Sequence, residues 1–129
     1  GTMVGSVGIK DLTALSYSSG VTSVQDEEIR VPVTYSLDQN YPNPFNPSTQ
    51  IKFALPFNSS VRITIYNLLG EVVRELVNTD MNSGVHTVQW NSEDVSGRKV
   101  SSGIYFYELN ANGVNGNQFN QVRKMILMK

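Results

Sequence analysis

The sequence holds no cysteine and a single histidine among its 129 residues. The first absence removes disulfides, zinc thiolates and every cysteine-based catalytic scheme, while leaving the compartment open. The second leaves a Ser-His-Asp hydrolase with one candidate base, His86, which sits mid-strand in the apolar pattern. None of Ser59, Ser83 or Ser92 lies in a G-x-S-x-G elbow, so His86 reads as a packed or sheet-surface residue. Charge is also scarce. Charged residues make up 16% of the chain, and 10 Lys plus Arg against 11 Asp plus Glu give a net charge of −1. No strong field exists to capture nucleic acid or an acidic membrane surface. No apolar run approaches the roughly 20 residues of a spanning helix, so membrane insertion is not expected. Glu93 and Asp94 are adjacent and would point opposite ways on a strand, which disqualifies them as a glycosidase pair. The reading is of a domain without catalytic residues, metal or cofactor.

What fills the chain is Ser, Thr, Asn and Val, a mixture that favours short strands and turns. Alternating apolar residues mark strands over 50–55, with Ile51, Phe53 and Leu55 on one face, and over the segment carrying Val61, Ile63 and Ile65. A turn at Leu69-Gly70-Glu71 leads into Val72 to Val77, and Asn82-Ser83-Gly84 leads into Val85 to Trp90. Ile104 to Ala111 and Phe119 to Met128 follow, separated by the glycine- and asparagine-rich loop 112–117. Turns every 8–12 residues with period-2 patterning predict an all-β chain: an immunoglobulin-like antiparallel β-sandwich of about seven strands. Ile51, Phe53, Val61, Ile63, Ile65, Val88 and Trp90 are its expected core.

Three segments precede or compose this domain. Residues 1–20 read as an expression scar, Gly1-Thr2-Met3, followed by a remnant strand, Val7 to Leu15, of a preceding domain. One amphipathic strand cannot bury its own face, so it is expected to pair with a sandwich edge or with a second copy, giving a strand-mediated homodimer. Residues 21–34 combine Asp26, Glu27 and Glu28 with Pro32 and read as a linker, and residues 35–129 form the sandwich.

Several motifs carry a functional and a plain reading side by side. Asn91 to Gly97 gathers oxygen ligands before a glycine but lacks calcium-loop spacing, and reads as an Asx-stabilised turn. Asn58-Ser59-Ser60 matches a glycosylation sequon, a motif that chance often produces. Tyr105 and Tyr107 share one strand face and Phe106 the other. The tyrosines would make a carbohydrate platform if exposed, and core residues otherwise.

The most specific string is Gln39 to Thr49, with Tyr41, Pro42, Asn43, Pro44 and Phe45 at its centre. Its prolines fix φ and remove ladder donors, predicting a rigid lead-in whose Tyr41 and Phe45 cover one end of the sandwich. Leu37 to Thr49, Val61 to Gly70, Gly84 to Trp90, Ser102-Gly103-Ile104-Tyr105-Phe106-Tyr107 and the closing Lys124-Met125-Ile126-Leu127-Met128-Lys129 stand in one order. Together they resemble the C-terminal sorting domains of the type IX (Por) secretion system, which are related to the immunoglobulin-like domain of the flagellar hook-capping protein. Two departures stand out: Asn91-Ser92 replaces the Asp-Gly that commonly follows the Trp, and residues 4–20 lie outside the family pattern.

The resemblance implies a secreted or cell-surface address in Bacteroidota-like bacteria. It implies a covalently linked N-terminal cargo carried through the periplasm, and as partners the secretion machinery and its sorting protease. The residues it points to are Tyr41, Pro42, Asn43, Pro44, Phe45, Gly103, Tyr105, Lys124, Ile126, Leu127 and Lys129. In the last segment, Met125 and Leu127 face one way and Lys124, Ile126 and Met128 the other, and the terminal strand is expected to leave an edge free for docking. A passive structural, adhesive or carbohydrate-binding module of an extracellular enzyme is the alternative.

Overall fold

A computed structural model of the chain describes residues 31–129. The expected remnant strand Val7 to Leu15, the dimer argued from it and the acidic cluster lie outside the described residues. Seven strands are present among the described residues: β1 Ser36–Leu37, β2 Thr49–Leu55, β3 Ser59–Tyr66, β4 Val72–Met81, β5 Gly84–Trp90, β6 Gly103–Gly113 and β7 Gln118–Leu127. They form two antiparallel sheets, one ordered β1-β2-β5 and the other β4-β3-β6-β7.

Alternation decides which side of each strand is inside. Ile51, Phe53 and Leu55 of β2 and Ile63 and Ile65 of β3 are fully buried, while Gln50, Lys52, Ser60 and Arg62 between them are exposed. The four-stranded sheet adds Val61, Tyr105, Tyr107, Leu109, Ala111, Met125 and Leu127, and Leu37 and Trp90 come from the other sheet. Each large side chain so buried contributes roughly 1.5–3 kcal/mol relative to exposure. Val88, expected in the core, is only partly buried, because β5 is the edge of its sheet and lacks a neighbour on one side. His86 on the same face stacks on Phe53 at 5.5 Å, with Nε2 2.7 Å from the Asn82 carbonyl, so it is a packed sheet residue.

Turn chemistry follows the asparagines and glycines. Asn67 Oδ1 accepts the N–H groups of Leu69 and Glu71, and Gly70 takes φ of +85°, closing the β3–β4 hairpin. Strand β4 runs to Met81, four residues beyond the predicted end at Val77. Pairing with β3 continues to Ser59↔Met81 despite two register shifts, so tertiary pairing overrides the weak strand preference of Asn78 and Asp80. The two-residue β1 escapes sequence reading because it has no room for a period.

Candidate functional site

The lead-in and the end of the chain, some 80 residues apart in sequence, meet at one end of the sandwich. Asn40 is the hinge of this arrangement and is buried. Its side-chain Nδ2 donates to the Pro42 carbonyl at 3.1 Å and to Thr49 Oγ1 at 2.9 Å, and Thr49 Oγ1 donates to Pro42 O at 2.9 Å. Gln39 Nε2 bridges Asn40 Oδ1 and the Lys124 carbonyl, both at 2.7 Å. The main chain pairs Tyr41 with Gln50, which directs alternate side chains oppositely: Asn40 goes in and Tyr41 goes out. Tyr41 is accordingly 81% exposed and covers nothing, contrary to the expectation that it would cap the sandwich. Phe45 does cap it, at 2% exposure.

Phe45 also carries a short parallel bridge to Leu127. Its N–H donates to the Ile126 carbonyl and its carbonyl accepts from Met128 N–H, both at 2.9 Å. Asn43 Oδ1 accepts the Ile126 N–H at 3.0 Å. These bonds, with Gln39 on Lys124 O, occupy the Lys124 carbonyl, both main-chain groups of Ile126 and the Met128 N–H. The edge of the terminal strand expected to be free is therefore bonded from the Lys124 carbonyl to the Met128 N–H, and further up β7 it has no strand partner among the described residues. Proline explains the division of labour: Pro42, Pro44 and Pro47 have no N–H to offer, so Asn43 and Phe45 make the contacts. The Tyr41–Pro42, Asn43–Pro44 and Asn46–Pro47 peptide bonds are cis.

Beneath Phe45 lies an aromatic stack. Its ring centroid is 5.8 Å from Trp90, whose indole meets Tyr105 edge-on at 5.4 Å. Trp90 Nε1 donates to the Glu93 carbonyl at 2.9 Å and the Tyr105 hydroxyl to the Ser101 carbonyl at 2.6 Å. Gly103, at φ of +150°, opens β6 opposite Leu127, a backbone setting that side-chain-bearing residues rarely adopt. Of the site residues predicted from sequence, Phe45, Tyr105 and Leu127 are buried anchors. Tyr41, Pro42, Asn43, Pro44, Gly103, Lys124 and Lys129 are exposed, and Ile126 is half-buried. The face of Ile126 and Met128, left open between core and surface, points away from the core, while Met125 and Leu127 fill it. Tyr105 and Tyr107 are both buried, so they form no sugar platform.

Tyr107 and Ser92 hold this end together through hydrogen bonds that the sequence does not foretell. The Tyr107 hydroxyl donates to the Asp38 carbonyl at 2.6 Å and accepts from Asn40 N–H at 2.8 Å. Burial pushes its phenol up to about 12. An unfolded tyrosine ionises near pH 10, so the stability tied to the neutral phenol is complete below that pH. It is lost as pH rises through the folded value, by ~2–3 kcal/mol in all. Tyr107→Phe is expected to cost about 1–3 kcal/mol at pH 7, since the Asn40 N–H loses its acceptor. In urea titrations at pH 7 and 11 the variant should lose less stability than the parent between the two. Equal losses would show that this phenol does not titrate with folding.

Ser92 stands where the resembled pattern has glycine, and it adopts φ of +64°, a region glycine enters without steric cost. It is buried, and its hydroxyl donates to the Pro47 carbonyl, linking the segment after Trp90 to the lead-in. Next to it, Asp94 Oδ1 accepts from Ser96 N–H, Ser96 Oγ–H and Arg98 N–H at 2.7–3.0 Å, an Asx turn. The Ser96 hydroxyl and Arg98 amide hold its carboxyl below the usual range. Among the described residues no group of three or more His, Cys, Asp or Glu is placed to hold a metal, and no helix is long and apolar enough to cross a membrane. Asn58, of the sequon, accepts Ser83 N–H with its side chain and Val114 N–H with its carbonyl, tying turns at the far end.

Two sheets of this kind have relatives of known structure. Latent PorU from Porphyromonas gingivalis aligns with 74% of this chain at a TM-score of 0.60 and 21% identity, the match spanning 9% of PorU. FlgD from P. aeruginosa aligns with 61% of this chain and 61% of its own, at a TM-score of 0.51 and 22% identity. The hook-capping FlgD of Xanthomonas campestris aligns with 71% of this chain and 67% of its own, at 0.52 and 16%. The chain thus spans about a tenth of PorU and three fifths of the P. aeruginosa protein. At these identities the likeness is one of fold. No curated protein matches the sequence. Residues 38–115 match the FlgD Ig-like domain, a stretch that runs from the lead-in into the β6–β7 turn and takes in β2 to β6, and the chain belongs to that family.

Proposed function

We propose that this immunoglobulin-like domain is a non-catalytic sorting domain of the type IX (Por) secretion system, carrying a covalently linked N-terminal cargo across the outer membrane to the cell surface. The observation that carries the reading is the joining of the lead-in to the terminal strand. The two stretches most characteristic of the resembled sorting domains, Tyr41 to Phe45 and Lys124 to Lys129, come together through Phe45, Asn43 and Gln39. A spacer needs no such convergence of its exposed residues. In this reading residues 21–34 link the domain to a cargo of which residues 1–20 retain a remnant, and the secretion machinery with its sorting protease are the partners. The surface they read combines exposed Tyr41, Pro42, Asn43 and Pro44 with Lys124, Met128 and Lys129, because the strand edge itself is already paired.

The test is export of a reporter fused to residues 21–129 in a host that has this secretion system. The parent fusion is expected at the cell surface. Lys124→Glu with Lys129→Glu alters only exposed charge, normally worth within about 0.5 kcal/mol of stability, and should give a folded domain whose reporter stays in the periplasm. If that variant folds and reaches the surface at the parent level, the lysines are not part of the signal. A parent fusion that never leaves the periplasm favours the structural-spacer reading.

A further inference from the structure

The outward face of the four-stranded sheet carries residues that a strand has no structural reason to prefer. Asn and Asp are depleted in strands, yet Asn78, Asp80, Asn110, Asn112 and Asn120 all lie within β4, β6 or β7. The register gathers them. Asp80, Ser60 and Asn112 lie side by side in one cross-strand row, and Asn78, Arg62, Asn110 and Asn120 in the next. All but Asn120, which flanks it on β7, line a shallow groove of about 380 Å³ at the end of the sandwich remote from the lead-in. Local preference abandoned at several adjacent positions marks a functional surface more often than chance.

The groups are held in place. Ser60 Oγ donates to Asp80 Oδ1 at 2.7 Å, Asn78 Nδ2 to Glu75 Oε1 at 3.2 Å, and Asn120 Nδ2 to Glu108 Oε2 at 2.7 Å and to Asn110 Oδ1. Each carboxamide still has donor or acceptor capacity to spare. Three ligand classes fit poorly. The Arg62 guanidinium, 3.6 Å from Glu75 and beside Asp80, is too nearly neutralised for an anion site. A single carboxylate in the groove is too few for a hard cation. Strands β3 and β6 are paired on both sides, so an extended peptide finds no main-chain edge there. Neutral hydroxyls, each donor and acceptor at once, match an array of carboxamides, one hydroxyl and one compensated ion pair. Further along the same face Tyr66 lies directly opposite Phe106, both half-buried, offering apolar ring surface. From Ser60 to Tyr66 the strand runs about 20 Å, the reach of several sugar rings.

We infer that the outer face of β4-β3-β6-β7, from the groove at Ser60, Arg62, Asn78 and Asn110 to Tyr66 and Phe106, is a binding site for neutral oligosaccharide chains. It uses the face opposite the buried tyrosines and lies apart from the lead-in, so it stands or falls independently of the sorting role. The experiment titrates the full chain with cellohexaose, laminarihexaose and mannohexaose, followed by amide chemical shifts. At least one hexasaccharide should give saturable shifts centred on residues 60–62, 78–80 and 110–112, and its disaccharide should bind about tenfold more weakly or less, one lost contact set being worth that factor. Asn110→Val with Arg62→Thr should weaken binding at least about tenfold without lowering the melting temperature, because both replacements favour strands. Binding by none of the three sugars overturns the inference. So does parent-level binding by the double variant, or a shift map centred elsewhere on the domain.

Discussion

Trp90→Ala should remove about 3–5 kcal/mol of stability, the usual result of emptying a large aromatic site. Folded domains hold about 5–15 kcal/mol in all, so most of the margin goes. The indole is 1% exposed and is the largest side chain that the three-stranded sheet places in the core. Removing it takes support from Phe45 on one side and Tyr105 on the other, and leaves the Glu93 carbonyl without its donor. At about 4–8 °C per kcal/mol for a domain of this size, the melting temperature should fall by at least roughly 12 °C. A fall of under about 4 °C, equivalent to less than 1 kcal/mol, would mean that the two sheets do not pack across this ring.

Phe45→Ala is the second large effect, also in the range of about 3–5 kcal/mol, but with a local signature that Trp90→Ala lacks. Phe45 anchors the lead-in through its ring and pairs with the terminal strand through its own main chain. Once the ring is gone, the two bonds to Ile126 and Met128 lose their anchor. Amide exchange at Met128 should then accelerate more than at residues in the middle of β3, which report global unfolding. Uniform acceleration would show that the lead-in is held by something other than Phe45. Since Phe45 and Trp90 touch, milder replacements such as Phe45→Leu and Trp90→Phe should combine non-additively, with a coupling of about 0.5–3 kcal/mol.

The strands of the core were legible in the sequence because burial imposes a period of two. Ile51, Phe53, Leu55, Val61, Ile63 and Ile65 alternate with polar residues, and all are inside. The family resemblance was legible for another reason: prolines and asparagines before β2 are costly anywhere except a constrained lead-in, so their clustering carries information. Tyr41 was misassigned by the same logic that placed Phe45, because an aromatic residue in a rigid segment looks like a cap. Only the pairing of Tyr41 with Gln50 reveals which way its side chain turns.

Sequence by itself determined the all-β class, the sandwich core, the absence of any cysteine chemistry and the identity of the residues worth watching at both ends of the domain. Those features depend on local period, composition and turn chemistry, which act over a few neighbours. Tertiary structure alone decided that the two ends touch and that main-chain groups of Lys124, Ile126 and Met128 are bonded rather than open. It also decided that Ser92 carries a left-handed backbone to reach Pro47, and that polar residues from β3, β4 and β6 align into one groove. Such contacts join residues 10 to 85 positions apart on different strands and loops, and no local pattern encodes them. They follow from the register of four paired strands and from which backbone N–H and carbonyl groups remain to be satisfied once those strands have paired.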